Sequence, residues 1–163
     1  NCKEKYMIEG NHDDWMNSFV AEHPFMKGYK FKECVNLKER GYKYYPAGKY
    51  LKLGKLHLYH GHHFSGIHHT RNHLIRLGAN IMYGHHHDLQ QASVTHMDGV
   101  KSAWSIGCLK DMREEQNEWL GGRRINWSHA FAIVDFFAKG HFTVHIIQII
   151  DGETSLWGEL IKG

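Results

Sequence analysis

Three short motifs constrain this chain more than any other feature. Gly10-Asn11-His12-Asp13, His60-Gly61 and Gly84-His85-His86-His87 each follow directly on strand-forming residues: Lys5 to Glu9, Leu56 to Tyr59 and Asn80 to Tyr83. A glycine beside each motif allows a tight turn and close approach of backbone. Loops at strand ends are where α/β sheets build their sites. The pattern therefore predicts three polar loops brought together at one sheet edge. One histidine after one strand is usually structural; three such loops in one chain are harder to explain that way.

Composition sharpens this reading. Histidine occurs 16 times in 163 residues. Imidazole is the commonest side-chain metal ligand and an acid-base group near neutral pH. The hydrophobic fraction of 42% fits one globular domain with a real core and excludes a disordered chain. No apolar run approaches the roughly 20 residues of a membrane helix, and no basic-then-apolar leader opens the chain. No membrane partner and a cytoplasmic location are the expectations. Cys2, Cys34 and Cys108 are odd in number, far apart and outside any Cys-x-x-Cys pattern, which fits reduced thiols. A net charge of +3 does not by itself predict nucleic-acid binding.

The chain reads as a single domain over 1–163, mixed α/β at first and mainly β from roughly 91 onward. A helix is predicted from Asp14 to about Glu22, with Trp15, Phe19 and Met16 on its inner face and Pro24 closing it. Phe31 to Arg40 reads as a helix ended by Gly41, and Tyr42 to Tyr45 as extended. Short strands are predicted at Tyr50 to Leu53 and Leu56 to Tyr59 around Gly54. Ile67 to Leu77 is predicted helical with Gly78 as its stop. Ala92 to Met97, Val100 to Ile106, His129 to Phe137 and Phe142 to Ile150 read as a β meander. Helices flanking packed sheets are the architecture this suggests.

Taken in order, the three motifs resemble the second half of the calcineurin-like metallophosphoesterase signature. That family carries Asp-x-His, Gly-Asp-x-x-Asp, Gly-Asn-His-Asp/Glu, His or Gly-His, and Gly-His-x-His blocks, and the last three are present. The runs Trp104-Ser105-Ile106-Gly107-Cys108-Leu109 and Trp127-Ser128-His129-Ala130-Phe131-Ala132 resemble phage and bacterial members. The resemblance implies a four-layer α/β/β/α sandwich, of which this is the C-terminal part. It also implies a phosphate-ester substrate, with phosphodiesters favoured over monoesters, and two divalent metal ions. Manganese is expected, with zinc, iron, nickel or cobalt as alternatives. Carried over, Asn11, His60 and His85 ligate one metal and His87 the other. His12 becomes the catalytic histidine, hydrogen-bonding phosphate or protonating the leaving oxygen, and Asp13 the carboxylate that orients it.

The first two blocks belong before Gly10, where nine residues stand, none of them Asp or His. The expectation is that an N-terminal fragment or second chain supplies them, and that this chain alone binds metal poorly. Asn1 in place of Met fits an upstream segment removed or encoded elsewhere, and Asn1-Cys2 matches an intein junction. Two other readings stand beside the enzyme. One is a non-catalytic metal-binding or interaction module that keeps the fold. The other is a nucleic-acid binder using the basic, aromatic stretch Lys27 to Lys55.

Other polar residues have plain explanations. His86, between two ligands, is expected to face solvent or substrate. His62 and His63 either line the cleft or are ordinary loop residues. His69 and His73 are four apart, which an exposed helix face explains as well as a separate metal site. His129 is expected in the core and Arg123-Arg124 in a solvated turn, while Trp104, Trp119 and Trp127 are expected to pack.

Overall fold

The computed structural model describes residues 2–123 and 125–163. In chain order the elements are β1 (Lys5–Ile8), α1 (Asn11–Glu22), α2 (Phe31–Cys34), β2 (Tyr42–Tyr45), β3 (Leu51–Leu53), β4 (Leu56–Leu58) and α3 (His69–Leu77). They continue with β5 (Asn80–Tyr83), β6 (Leu89–His96), β7 (Gly99–Ile106), β8 (Ala130–Phe136), β9 (Phe142–Gln148), β10 (Glu153–Leu156) and β11 (Glu159–Lys162). The fold is mixed α/β. Its main sheet has five strands in the order β3-β4-β5-β7-β6. The central strands β4, β5 and β7 are parallel, and β3 and β6 run antiparallel at the edges.

Successive side chains in a strand point to opposite faces, and here both faces are covered. Tyr59, Ile81, Tyr83 and Ala103 pack with Leu74 of α3 on one side. Leu56, Met82 and Trp104 point the other way, against Ala132, Val134, Phe142, Val144 and Ile146 of the β8–β9 hairpin. Helix, sheet and hairpin thus stack as three layers. The run Ile81-Met82-Tyr83 of β5 is buried throughout because neither face there meets water. No helix among the described residues is long and apolar enough to cross a membrane.

Several expectations change. α1 begins at Asn11 because Gly10 is its N-cap and Asp13 Oδ2 accepts the Gly10 N–H at 3.0 Å. Trp15, Met16 and Phe19 face outward, at 64%, 37% and 50% exposure, and Val20 is the buried residue. The helix is held to β2 by polar groups instead. The buried carboxylate of Glu9 accepts from Asn17 Nδ2 and Tyr44 OH, and from the Ala47 N–H at 2.8 Å. The segment from Phe31 is helical only to Cys34, since Asn36 has φ +51° and a helix does not pass through that region. α3 starts at His69 and ends on Gly78 at φ +60°, as a left-handed cap requires. The late meander is instead three hairpins. β6–β7 joins the main sheet, while β8–β9 and β10–β11 form sheets of their own. Asn1 and Arg124 lie outside the described residues, so the junction dipeptide and the second arginine go with them.

His69 and His73 also depart from expectation, being buried at 2% and 0% exposure. His73 donates from Nδ1 to the His69 carbonyl at 2.7 Å, which leaves Nε2 to accept from Tyr59 OH. That pattern needs the neutral ring, and burial lowers the His73 pKa to about 4. The unfolded chain therefore binds a proton near pH 6.5 that the folded chain refuses. Stability from this group is complete above about pH 6.5 and is lost as pH falls towards 4, by up to about 3 kcal/mol. The urea midpoint is expected to fall between pH 7.5 and 4.5, and to fall less in His73→Gln. An equal fall in both would remove His73 as a cause.

Candidate metal centre

β4 and β5 are parallel neighbours, so the loops after them leave the same sheet edge side by side. The His60 carbonyl accepts the His85 N–H at 2.9 Å and binds the two loops together. Gly61 makes the approach possible. It has φ +110°, and a Cβ there would lie 2.5 Å from Tyr83 Cδ2. The third loop is the start of α1, which follows β1 and delivers Asn11.

The three side chains converge. Asn11 Oδ1 lies 2.7 Å from His60 Nε2, which lies 2.9 Å from His85 Nδ1. One proton on His60 Nε2 cannot give both neighbours a full hydrogen bond, so atoms bearing lone pairs are crowded together. A cation relieves that crowding. Burial, with the neighbouring imidazoles His62, His87 and His12, lowers the His60 pKa to about 4. Burial and His60 do the same to His85, also to about 4. Both rings are neutral at pH 7, the state a metal ligand needs. Donors about 2.1 Å from a common ion sit roughly 3 Å apart at right angles, close to the spacing found. Asn11, His60 and His85 fit part of one ion site of the pair that the resemblance implies.

His87 stands beside this cluster with an unpartnered atom. Its Nδ1 is buried and has no hydrogen-bond partner among the described residues. Its backbone is left-handed, with φ +61°, a conformation that costs a non-glycine residue roughly 1–2 kcal/mol. It is held there by its N–H to the Gly84 carbonyl at 3.0 Å and by the Ser128 N–H donating to its own carbonyl at 2.7 Å. Such strain clusters at functional sites. Burial and then the charge of nearby His12 lower the His87 pKa. The His12 ring is exposed and lies 4.5 Å from the Trp15 ring.

The structure thus groups Asn11, His12, His60, His85 and His87. Asp13 is close in the chain, but its carboxylate caps α1 and takes the Gly10 N–H in place of the His12 ring. His86 turns inward, against the solvent-facing expectation. Its ring stacks on His69 at 3.8 Å and its Nε2 donates to the Phe64 carbonyl at 3.0 Å. His62 lines the cluster, 5.7 Å from His60 between ring centres, with Nδ1 buried and unpartnered among the described residues. His63 is exposed and pairs with Tyr50 OH at 3.1 Å. His129 is half-buried at the edge of an open groove and not in the core. Trp104 packs in the core as expected, whereas Trp119 is 62% exposed.

Sequence reasoning missed the support behind the His85–His87 loop. Asp88 is buried and accepts from His69 Nε2 at 3.0 Å, Gln90 Nε2 at 2.8 Å and Ser105 Oγ at 2.8 Å. His69 Nδ1 in turn accepts from Tyr83 OH at 2.7 Å. Burial pushes the Asp88 carboxyl up, but the bonds from His69 and Ser105 outweigh it and hold the group below its ordinary range. The available signal was an aspartate placed directly after a ligand motif. Among the described residues no group of three His, Cys, Asp or Glu side chains is disposed to hold a metal; the cluster is two imidazoles and an amide. No protein-family model matches this chain, and no curated protein matches it significantly.

Proposed function

We propose that this chain supplies the asparagine–histidine half of a two-metal phosphoesterase centre and hydrolyses phosphate esters, phosphodiesters above monoesters. The observation that carries the reading is the meeting of Asn11 Oδ1 and His85 Nδ1 on His60 Nε2, at 2.7 and 2.9 Å, from three separate loops. Divalent ions held there, manganese foremost, supply positive charge that polarises a phosphoryl group. Asn11, His60 and His85 hold one ion. His87, with its unpartnered Nδ1, begins the site of the other. Two imidazoles and one amide are too few donors for a complete pair, so an upstream segment or a second chain supplies the carboxylates. In that assembly the three layers belong to a four-layer α/β/β/α sandwich.

His12 opens α1 beside the cluster and is exposed, so a substrate oxygen can reach its ring. It hydrogen-bonds the phosphoryl group or gives its proton to the leaving oxygen. General acid catalysis of this kind contributes roughly 10²–10⁴-fold. His12→Ala is expected to lower kcat by about that factor while metal content, measured by mass spectrometry, stays near normal. Equal loss of metal would place His12 among the ligands.

A non-catalytic metal-binding module is the second reading, and the small donor set favours it. Manganese-dependent hydrolysis of bis(p-nitrophenyl) phosphate separates the two. Turnover abolished by EDTA supports the enzyme. Bound manganese without turnover, even after the Asp-x-His and Gly-Asp-x-x-Asp segment is added, supports the module.

A further inference from the structure

One feature next to His87 has no part in holding metal. The Trp127 ring stands edge-on to the His87 ring, 4.7 Å between centres at 69°. Trp119, itself 62% exposed, lies 6.0 Å from Trp127. Lys110 Nζ sits over the Trp127 ring at 5.8 Å. It is fixed by two neutral oxygens, Asn117 Oδ1 at 2.5 Å and the Gln116 carbonyl at 3.3 Å. Among the described residues no carboxylate is paired with Lys110, and the adjacent Asp111 is taken by Arg113, whose Nε lies 3.0 Å from both its oxygens. Trp127 also forms one wall of an open groove with Leu109, Arg113, His129 and Gln148.

We infer that Trp127, Trp119 and Lys110 form a subsite beside His87 for the nucleobase-bearing part of a small phosphodiester. Trp119, exposed beside the half-buried Trp127, gives a base a face to stack on. The Lys110 ammonium, held beside Trp127, meets the phosphate joined to that base. Single-stranded polyanions fit less well, because Glu115 and Glu118 are exposed on the same loop and repel a second phosphate. The position of the phosphate rests on the phosphoesterase reading; the stacking surface does not.

The test measures binding to the full chain in EDTA, by calorimetry and tryptophan fluorescence. The probes are the dinucleoside monophosphate of thymidine and dimethyl phosphate, which has the anion but no ring. The dinucleotide is expected to bind at least tenfold more tightly. Trp127→Leu and Trp119→Leu should each weaken it about tenfold, and Trp127→Phe should hold it within about threefold of the wild type. Lys110→Met should weaken both probes and lower the salt slope by about one. Trp119 and Lys110 lie towards the surface, so their variants report even if Trp127→Leu fails to fold. Equal affinity for the two probes, no binding of either, or wild-type affinity in Trp119→Leu would overturn the subsite. The two readings fail separately. Ring-dependent binding in EDTA without manganese-dependent turnover removes the enzyme and keeps the surface. Turnover of a dinucleotide with unchanged KM in Trp119→Leu does the reverse.

Discussion

Replacing His60 by alanine is expected to lower manganese affinity by about a hundredfold or more while leaving the fold in place. His60 Nε2 is the middle atom of the cluster, within 2.7 Å of Asn11 Oδ1 and 2.9 Å of His85 Nδ1. Its removal separates the other two donors. Loss of a partner that only orients a ligand costs roughly ten- to hundredfold in affinity, so loss of a ligand sits at or above that range. The fold should survive because the half-buried ring fills no part of the apolar core, and its backbone carbonyl still accepts the His85 N–H. Titration calorimetry with manganese, alongside circular dichroism, checks both halves. Unchanged affinity in a folded variant would take His60 out of the site.

Asp88→Ala is expected to be the most damaging single change to stability. Asp88 is 6% exposed, and its carboxylate answers three buried or half-buried donors, on His69, Gln90 and Ser105. Truncation leaves those donors without an acceptor. Removing one partner of such a buried charged set costs about 3–5 kcal/mol, or a fall in Tm of about 10 °C for a chain of this size. Asp88→Asn should cost less, because an amide oxygen in place of Oδ2 still accepts from His69 and Gln90 and only the NH₂ meets the Ser105 hydroxyl. Asp88 adjoins His87, and its carbonyl accepts the Gly107 N–H at 2.9 Å, so metal affinity should fall with stability. A thermal melt within about 2 °C of wild type for the alanine variant would contradict this account.

How much of this was legible depends on which forces act locally. β1, β4 and β5 were readable because each is a short run of mainly strand-forming residues with a glycine within three positions of its end. Convergence at one edge followed for two loops, since parallel β4 and β5 send theirs out together; the third comes from β1, which lies with β2 in a separate two-stranded sheet. The face of α1 was not readable. Periodicity put Trp15, Met16 and Phe19 inward, but the helix is anchored by Glu9, Asn17 and Tyr44, partners more than thirty positions apart in the case of Glu9 and Tyr44. Polar anchoring leaves no hydrophobic period to read. His69 and His73 were misplaced for the same reason. Their burial depends on Asp88, Tyr59 and Tyr83, which tertiary contacts alone bring within reach. Of the site, the candidate ligands Asn11, His60, His85 and His87 were visible as motifs. The left-handed backbone of His87 and the Asp88 support were not, because both are set by neighbours across the sheet edge.

The most direct measurement is an anomalous-difference map of crystals of this chain soaked in manganese and collected at the manganese edge. The account predicts a peak bounded by Asn11 Oδ1, His60 Nε2 and His85 Nδ1, absent from His60→Ala crystals treated the same way. A peak elsewhere, or none at the cluster under saturating manganese, would contradict it.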